Sequence, residues 1–221
     1  DPRASARAEG RADVTLDPML GLRRTHACGG VGPELVGQEV VVAGWVHGRR
    51  DHGGVIFIDL RDREGLVQVV FRPEEDAASH ARAGELRSEF VAMVRGRVER
   101  RTPETVNPKL ATGEVEVAAR ELRILNTATP PPFPLDEDPG VDETVRLRHR
   151  IHDLRRAPLQ RALRVRHQLY QSARRTLTDL GFLEIETPIL AKATPEGARD
   201  FLVPSRLQPG EFYALPQSPQ I

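Results

Sequence analysis

The sequence holds little that could cross-link it or anchor it. A single cysteine, Cys28, excludes an internal disulfide framework and suits a reducing compartment. Alone, Cys28 is either a nucleophile or a small packing residue. Lysine is scarce: Lys109 and Lys192 are the only two among 32 basic residues. Aromatic residues make up 5% of the chain, with one tryptophan. No apolar run approaches the ~18 residues that a membrane-spanning helix needs. Net charge is also missing, because 32 basic residues balance 32 acidic ones, and this excludes a bulk polycation. An apolar leader is absent from DPRASARAEGRADVTLDPMLGL (1–22). Its acids Asp1, Glu9, Asp13 and Asp17 argue against an organellar transit peptide. With few large apolar side chains before Met19, residues 1–23 are expected to form a disordered extension. The first residue is Asp and not Met, which fits a sequence that starts inside a longer chain. A cytoplasmic globular protein of one or two domains is the reading these absences leave.

What is present is strongly patterned. Residues 37–126 read as strands: EVVVAGWVHG (39–48), GGVIFIDLRD (53–62), GLVQVVF (65–71), EFVAMVRGRVERR (89–101) and GEVEVAARELRILN (113–126). Between the third and fourth, PEEDAASHARAGELRS (73–88) has the proline, early acids and alanines of a helix, which Gly84 weakens in its second half. Five strands with a helix after the third is the order of a five-stranded OB-fold β-barrel. A different small barrel with an inserted helix fits the same order. On the second strand, period-two alternation turns Ile56, Ile58 and Leu60 inward and Val55, Phe57, Asp59 and Arg61 outward. An outward Phe57 is either a stacking platform for a nucleic-acid base or a ring packed under the flanking helix or linker. Arg49 and Arg50 suit phosphates, and Gln68 offers both a donor and an acceptor to a base edge.

The stretch TATPPPFPLDEDPGVDE (127–143) reads as a semi-rigid proline-rich linker between domains. Charge is segregated after it: residues 146–175 hold ten arginines against one acid, Asp153. Such a run is either a solvated helix face or a surface for phosphates. Apolar residues at i, i+3 and i+4 from Leu159 to Leu180 predict a long amphipathic helix, with Pro158 at its start and Gly181 at its end. FLEIETPIL (182–190) predicts a strand that Pro188 interrupts or leaves at an edge.

A helix followed by GFLEIETPIL (181–190) resembles motif 1 of the class II aminoacyl-tRNA synthetases. RTHACG (24–29), residues 37–71, ATGEVEV (111–117), PPFPLDE (131–137), TPEGARDFLVPSR (194–206) and FYALPQSPQ (212–220) together resemble the bacterial-type aspartyl-tRNA synthetases. The resemblance runs from about Arg24 to Gln220. It implies an α+β, multi-domain chain: an OB-fold anticodon-binding domain (24–126), the linker, and the first part of a class II antiparallel α/β catalytic domain (144–221). It implies ATP-dependent attachment of aspartate to tRNA through aspartyl-adenylate, with Mg²⁺ on the ATP phosphates. The implied partners are L-aspartate, the aspartate tRNA, the asparagine tRNA in some members, and a second subunit.

By the same resemblance, Phe57 stacks on an anticodon base, Gln68 contacts one, and Arg50 holds the anticodon backbone. His52 stands where many members that discriminate between the two tRNAs carry leucine. It is either a mark of dual tRNA use or a solvent-exposed loop residue. Glu196 of TPEGA is implied to bind the aspartate α-ammonium, and Ser218 and Gln220 to line the aspartate site. Pro188 marks the dimer interface. The sequence departs from the family at LRHRIHDLRR, where His149 and His152 replace aromatic or aliphatic residues. It also ends at QSPQI, before motifs 2 and 3. The resemblance therefore implies the front portion of a longer enzyme, with no catalytic side chain or metal site of its own. The alternative is a stand-alone OB-fold tRNA-binding module that has lost catalysis.

Overall fold

A computed structural model describes residues 14–19, 21–135, 140–192 and 200–216. The chain divides into two compact units between Pro134 and Leu135. In the first, five strands form: β1 (Glu39–His52), β2 (Val55–Arg61), β3 (Leu66–Phe71), β4 (Val91–Arg100) and β5 (Val115–Asn126). They pair around a closed barrel in the order β1-β2-β3-β5-β4. Every pairing is antiparallel except the short one between β3 and β5, which runs parallel through Val69↔Val117 and Val70↔Ala118.

Alternation decides what fills the barrel. Ile56, Ile58 and Leu60 are buried in the core with Val67, Val69 and Phe71 of β3. Each such side chain contributes ~1.5–3 kcal/mol by leaving water. β1 turns Val40, Val42 and Val46 inward, but its register against β2 shifts between Val46 and Gly48. This bulge changes the parity of the strand. Beyond it, Gly48, Arg50 and His52 pair with Asp59, Phe57 and Val55, the outward set of β2. Without the bulge, Arg50 would follow Val46 into the core. The strands then turn at Gly53 and Gly54, whose φ angles of +63° and +84° suit a two-residue hairpin loop.

A helix does form after β3, but as α1 (Ala77–Ala83), shorter than the 73–88 expected. Asp76 sets its start by accepting hydrogen bonds from the N–H groups of Ala78 and Ser79, and Gly84 caps its end. The Ser79 hydroxyl accepts from Leu122 N–H at 3.1 Å, which ties α1 to β5.

Residues 14–19 and 21–23 differ from the disordered extension expected of them. Asp17 is tied to β5 by two hydrogen bonds, one from its backbone and one to its side chain: its N–H donates to Ile124 O, and its carboxylate accepts from Ile124 N–H, both at 2.8 Å. Arg82 on α1 donates to the same carboxylate at 2.7 Å, Val14 packs on the core, and Leu22 is buried. Few apolar residues are needed because hydrogen bonds and an ion pair do the anchoring. The linker also begins on the barrel, where Ala128 packs against the core and Phe133 is buried.

In the second unit, α2 (Glu143–Arg148) and α3 (Arg150–Asp153) precede α4 (Ala157–Asp179). The only acid of the arginine-rich run, Asp153, is 1% exposed and binds Arg150 at 2.7 Å and Arg156 at 3.0 Å, with Arg146 at 3.8 Å. Part of that run is therefore structural and not a phosphate surface. α4 matches the helix predicted from periodicity, and Gly181 at φ +85° ends it. The strand expected over FLEIETPIL is absent: 182–188 carry no strand pairing, and Pro188 is exposed there. A strand exists only with a partner, and among the described residues only Ala191 makes a bridge, to Ala214. A hairpin of β6 (Phe201–Pro204) and β7 (Phe212–Leu215) completes the unit. No helix among the described residues is long and apolar enough to cross a membrane.

Candidate nucleic-acid interface

The outer face of β1, β2 and β3 gathers four residues singled out in the sequence. Arg50 stands across the β1–β2 ladder from Phe57, and Asp59 stands across β2–β3 from Gln68. The half-buried Phe57 lies outside the core, and the His52 ring meets it edge-on, with centroids 6.2 Å apart and planes at 61°. His52 ends β1, stays exposed, and sets its ring beside Phe57.

A polar network runs beside the aromatic pair. Arg50 Nη2 donates to both Asp59 carboxylate oxygens at 2.9 and 3.1 Å and to Gln68 Oε1 at 3.2 Å. Gln68 Nε2 donates to Glu116 of β5 at 3.1 Å. The two bonds fix the Gln68 amide: its oxygen faces Arg50 and its nitrogen faces Glu116. Glu116 also accepts from Arg72 at 2.8 Å and lies 3.7 Å from Arg101 Nε. Arg101 is 4% exposed, and burial pulls its pKa down, opposed by the Glu116 and Asp59 charges. Its Nε donates to Val115 O and its Nη1 to Thr105 O, while Nη2 has no hydrogen-bond partner among the described residues.

Asp59, Glu116, Arg72 and Arg101 were not singled out from sequence. Their signal was faint: Asp59 and Glu116 are charges at outward positions of apolar strands, and Gln68 and Glu116 lie 48 residues apart. Glu196, Ser218 and Gln220 lie outside the described residues. Cys28 is fully buried, and burial together with Asp62 pushes its thiol pKa up to about 12, so it packs and is no nucleophile. In the second unit, a groove of about 390 Å³ is lined by Tyr170, Leu177, Phe182 and Leu183, with Arg174 paired to Glu184 at 2.9 Å. Among the described residues, no group of three or more His, Cys, Asp or Glu is placed to hold a metal ion.

Known proteins share both units. Residues 40–125 match the family model of the OB-fold nucleic acid binding domain, and residues 142–221 match that of the tRNA synthetases class II (D, K and N). The Aspartate--tRNA(Asp/Asn) ligase of Desulfosudis oleivorans is 57% identical over 206 residues, 93% of this chain and 34% of that protein. That of Symbiobacterium thermophilum is 59% identical over 201 residues, 90% of this chain and again 34% of the relative. The chain thus spans about a third of the length of these relatives. Among solved structures, asparaginyl-tRNA synthetase from Pyrococcus horikoshii complexed with asparaginyl-adenylate aligns with a TM-score of 0.75 and 27% identity, over 90% of this chain and 44% of that one. Two family models matched in chain order, and identity above one half along nine-tenths of the sequence, place this chain among the class II aminoacyl-tRNA synthetases of the aspartate type.

Proposed function

We propose that this chain supplies the anticodon-reading barrel and the leading catalytic-domain segment of a cytoplasmic aspartate–tRNA ligase. The full-length enzyme joins aspartate to ATP, releases pyrophosphate, and passes aspartate from the adenylate to the 3′ end of tRNA. The substrate carboxylate is itself the nucleophile, so the protein's task is positioning. Mg²⁺ would neutralise the ATP phosphates in the full-length enzyme, and among the described residues no group of three or more His, Cys, Asp or Glu is placed to hold it. The observation that carries the proposal is the shared outer face of Arg50, His52, Phe57 and Gln68. A ring for stacking, an oriented amide and a guanidinium are the groups that unpaired nucleotides need.

Glu196, Ser218 and Gln220 are proposed to hold aspartate, and the segment around Pro188 to meet a second subunit. Dual use of the aspartate and asparagine tRNAs is supported by the names of the relatives and by His52 beside Phe57. A stand-alone RNA-binding module would account for the barrel but not for the synthetase match over 142–221.

The test is fluorescence anisotropy of the 221-residue chain with the anticodon stem-loop of the aspartate tRNA. Phe57→Ala is expected to weaken binding ~5- to 150-fold, the worth of one stacked base. Unchanged affinity would remove Phe57 from the interface. Pyrophosphate exchange by the full-length enzyme with aspartate tests the adenylate step.

A further inference from the structure

The outer face of the barrel holds an acid where an RNA surface should avoid one. Asp59 carries a negative charge between Arg50 and Gln68, and a carboxylate there repels phosphates. Its geometry offers a compensating role. All three hydrogen bonds of Arg50 leave from Nη2, two of them to Asp59 and one to Gln68. Nε and Nη1, which carry three N–H donors, make no hydrogen bond among the described residues. The Arg50 side chain is 50% exposed and the Asp59 side chain 22%. One nitrogen of the guanidinium is therefore pinned to the sheet, while the side chain as a whole stays half exposed.

The pin is itself rigid. Asp59 sits in mid-strand, paired on one side with Gln68 and on the other with Gly48, which has no side chain to compete for the space. The β1 bulge that brings Arg50 to this face ends at the same Gly48.

We propose that Asp59 is a positioning residue for RNA binding, which holds Arg50 by one nitrogen and presents its remaining donors, already ordered, to an RNA phosphate beside the Phe57 ring. The inference rests on the anticodon reading of this face and goes beyond it, because Asp59 touches no RNA itself. An arginine restrained before binding loses less side-chain freedom on binding, and the gain appears as affinity. This gain runs against the general repulsion between Asp59 and phosphate, so neutralising Asp59 separates the two effects by sign.

The experiment measures anisotropy of the anticodon stem-loop with the 221-residue chain and its D59N, D59E, R50Q and D59N/R50Q variants, at several salt concentrations. D59N is expected to weaken binding about fivefold or more, and D59E to recover most of the loss. In the R50Q background, D59N is expected to change affinity less than ~2-fold, since no guanidinium remains to be held. A role only in barrel stability would give the same loss in both backgrounds. R50Q should lower the slope of log K against log salt by about 1, the share of one phosphate contact, while D59N keeps that contact. Binding by D59N as tight as or tighter than wild type overturns the inference, as does an equal loss in the R50Q background. If R50Q and Phe57→Ala both bind like wild type, the anticodon reading fails and takes this inference with it. If they weaken binding and D59N does not, the inference alone fails.

Discussion

Removing the Glu116 carboxylate is expected to destabilise the barrel by about 3–5 kcal/mol, the usual cost of stripping a buried charge of its partner. The charge left behind is Arg101, whose side chain is 4% exposed and whose Nη2 already lacks a hydrogen-bond partner among the described residues. Glu116 is the carboxylate that approaches it, at 3.7 Å from Nε, and is itself only 12% exposed. Glu116→Ala also strands Gln68 Nε2 and Arg72 Nη2, which donate to it at 3.1 and 2.8 Å. These losses share one carboxylate and do not add as independent terms. The assay is urea unfolding followed through Trp45, the single tryptophan, which lies on β1 and so reports on the barrel alone. With a urea slope of ~1–3 kcal/mol/M, the midpoint should fall by at least about 1 M. The double variant E116A/R101M removes the stranded cation and is expected to be more stable than E116A, despite losing the Val115 and Thr105 bonds of Arg101. A loss below ~1 kcal/mol in E116A, or a double variant no better than the single, would refute the view that Glu116 neutralises Arg101.

Two further outcomes rest on titratable groups. Burial raises the Asp17 pKa, but the Ile124 N–H and Arg82 outweigh it and hold the carboxyl below its usual value. A depressed carboxyl stabilises the fold above its unfolded pKa near ~3.9 and loses that contribution as pH falls through the folded value. Asp17→Asn should therefore cost ~1 kcal/mol at pH 7 in Trp45-monitored unfolding, and the gap to wild type should close as pH falls below ~4. A gap that stays constant down to pH 2 would show that the charge of Asp17 is not what anchors residues 14–19. For Cys28, a thiol pKa pushed up to about 12 leaves almost no thiolate at pH 8. Labelling by a disulfide reagent should be negligible in the native chain and should rise with urea along the Trp45 transition; fast native labelling would contradict its burial.

Much of the barrel was legible because its strands obey one local rule. Alternation on β2 assigns Ile56, Ile58 and Leu60 to the core and Phe57 to the outside, and burial follows that assignment, whereas on β3 Gln68 and Val70 are buried along with Val67, Val69 and Phe71. Arg50 marks where the rule stops. Counted by parity from Val46, it belongs inside, and only the register shift before Gly48 carries it out to Phe57. A bulge costs one residue of register and leaves no compositional trace, so the face on which Arg50 acts could be taken from resemblance but not from pattern. The start of α1 and the docking of residues 14–19 escape the pattern for a related reason: Asp76 accepts from the N–H groups of Ala78 and Ser79, and Asp17 accepts from Ile124 N–H across 107 residues. FLEIETPIL shows the converse. Its apolar residues alternate as those of β2 do, but no pairing strand lies beside 182–188 among the described residues, and the segment forms no ladder. Propensity proposes a strand, and a hydrogen-bonded neighbour makes one. The same logic governs the candidate interface: each of Arg50, Gln68 and Asp59 is ordinary in its own strand. They become a site because the bulge, the hairpin and the β3–β5 closure bring a guanidinium, an amide and two carboxylates within hydrogen-bond reach.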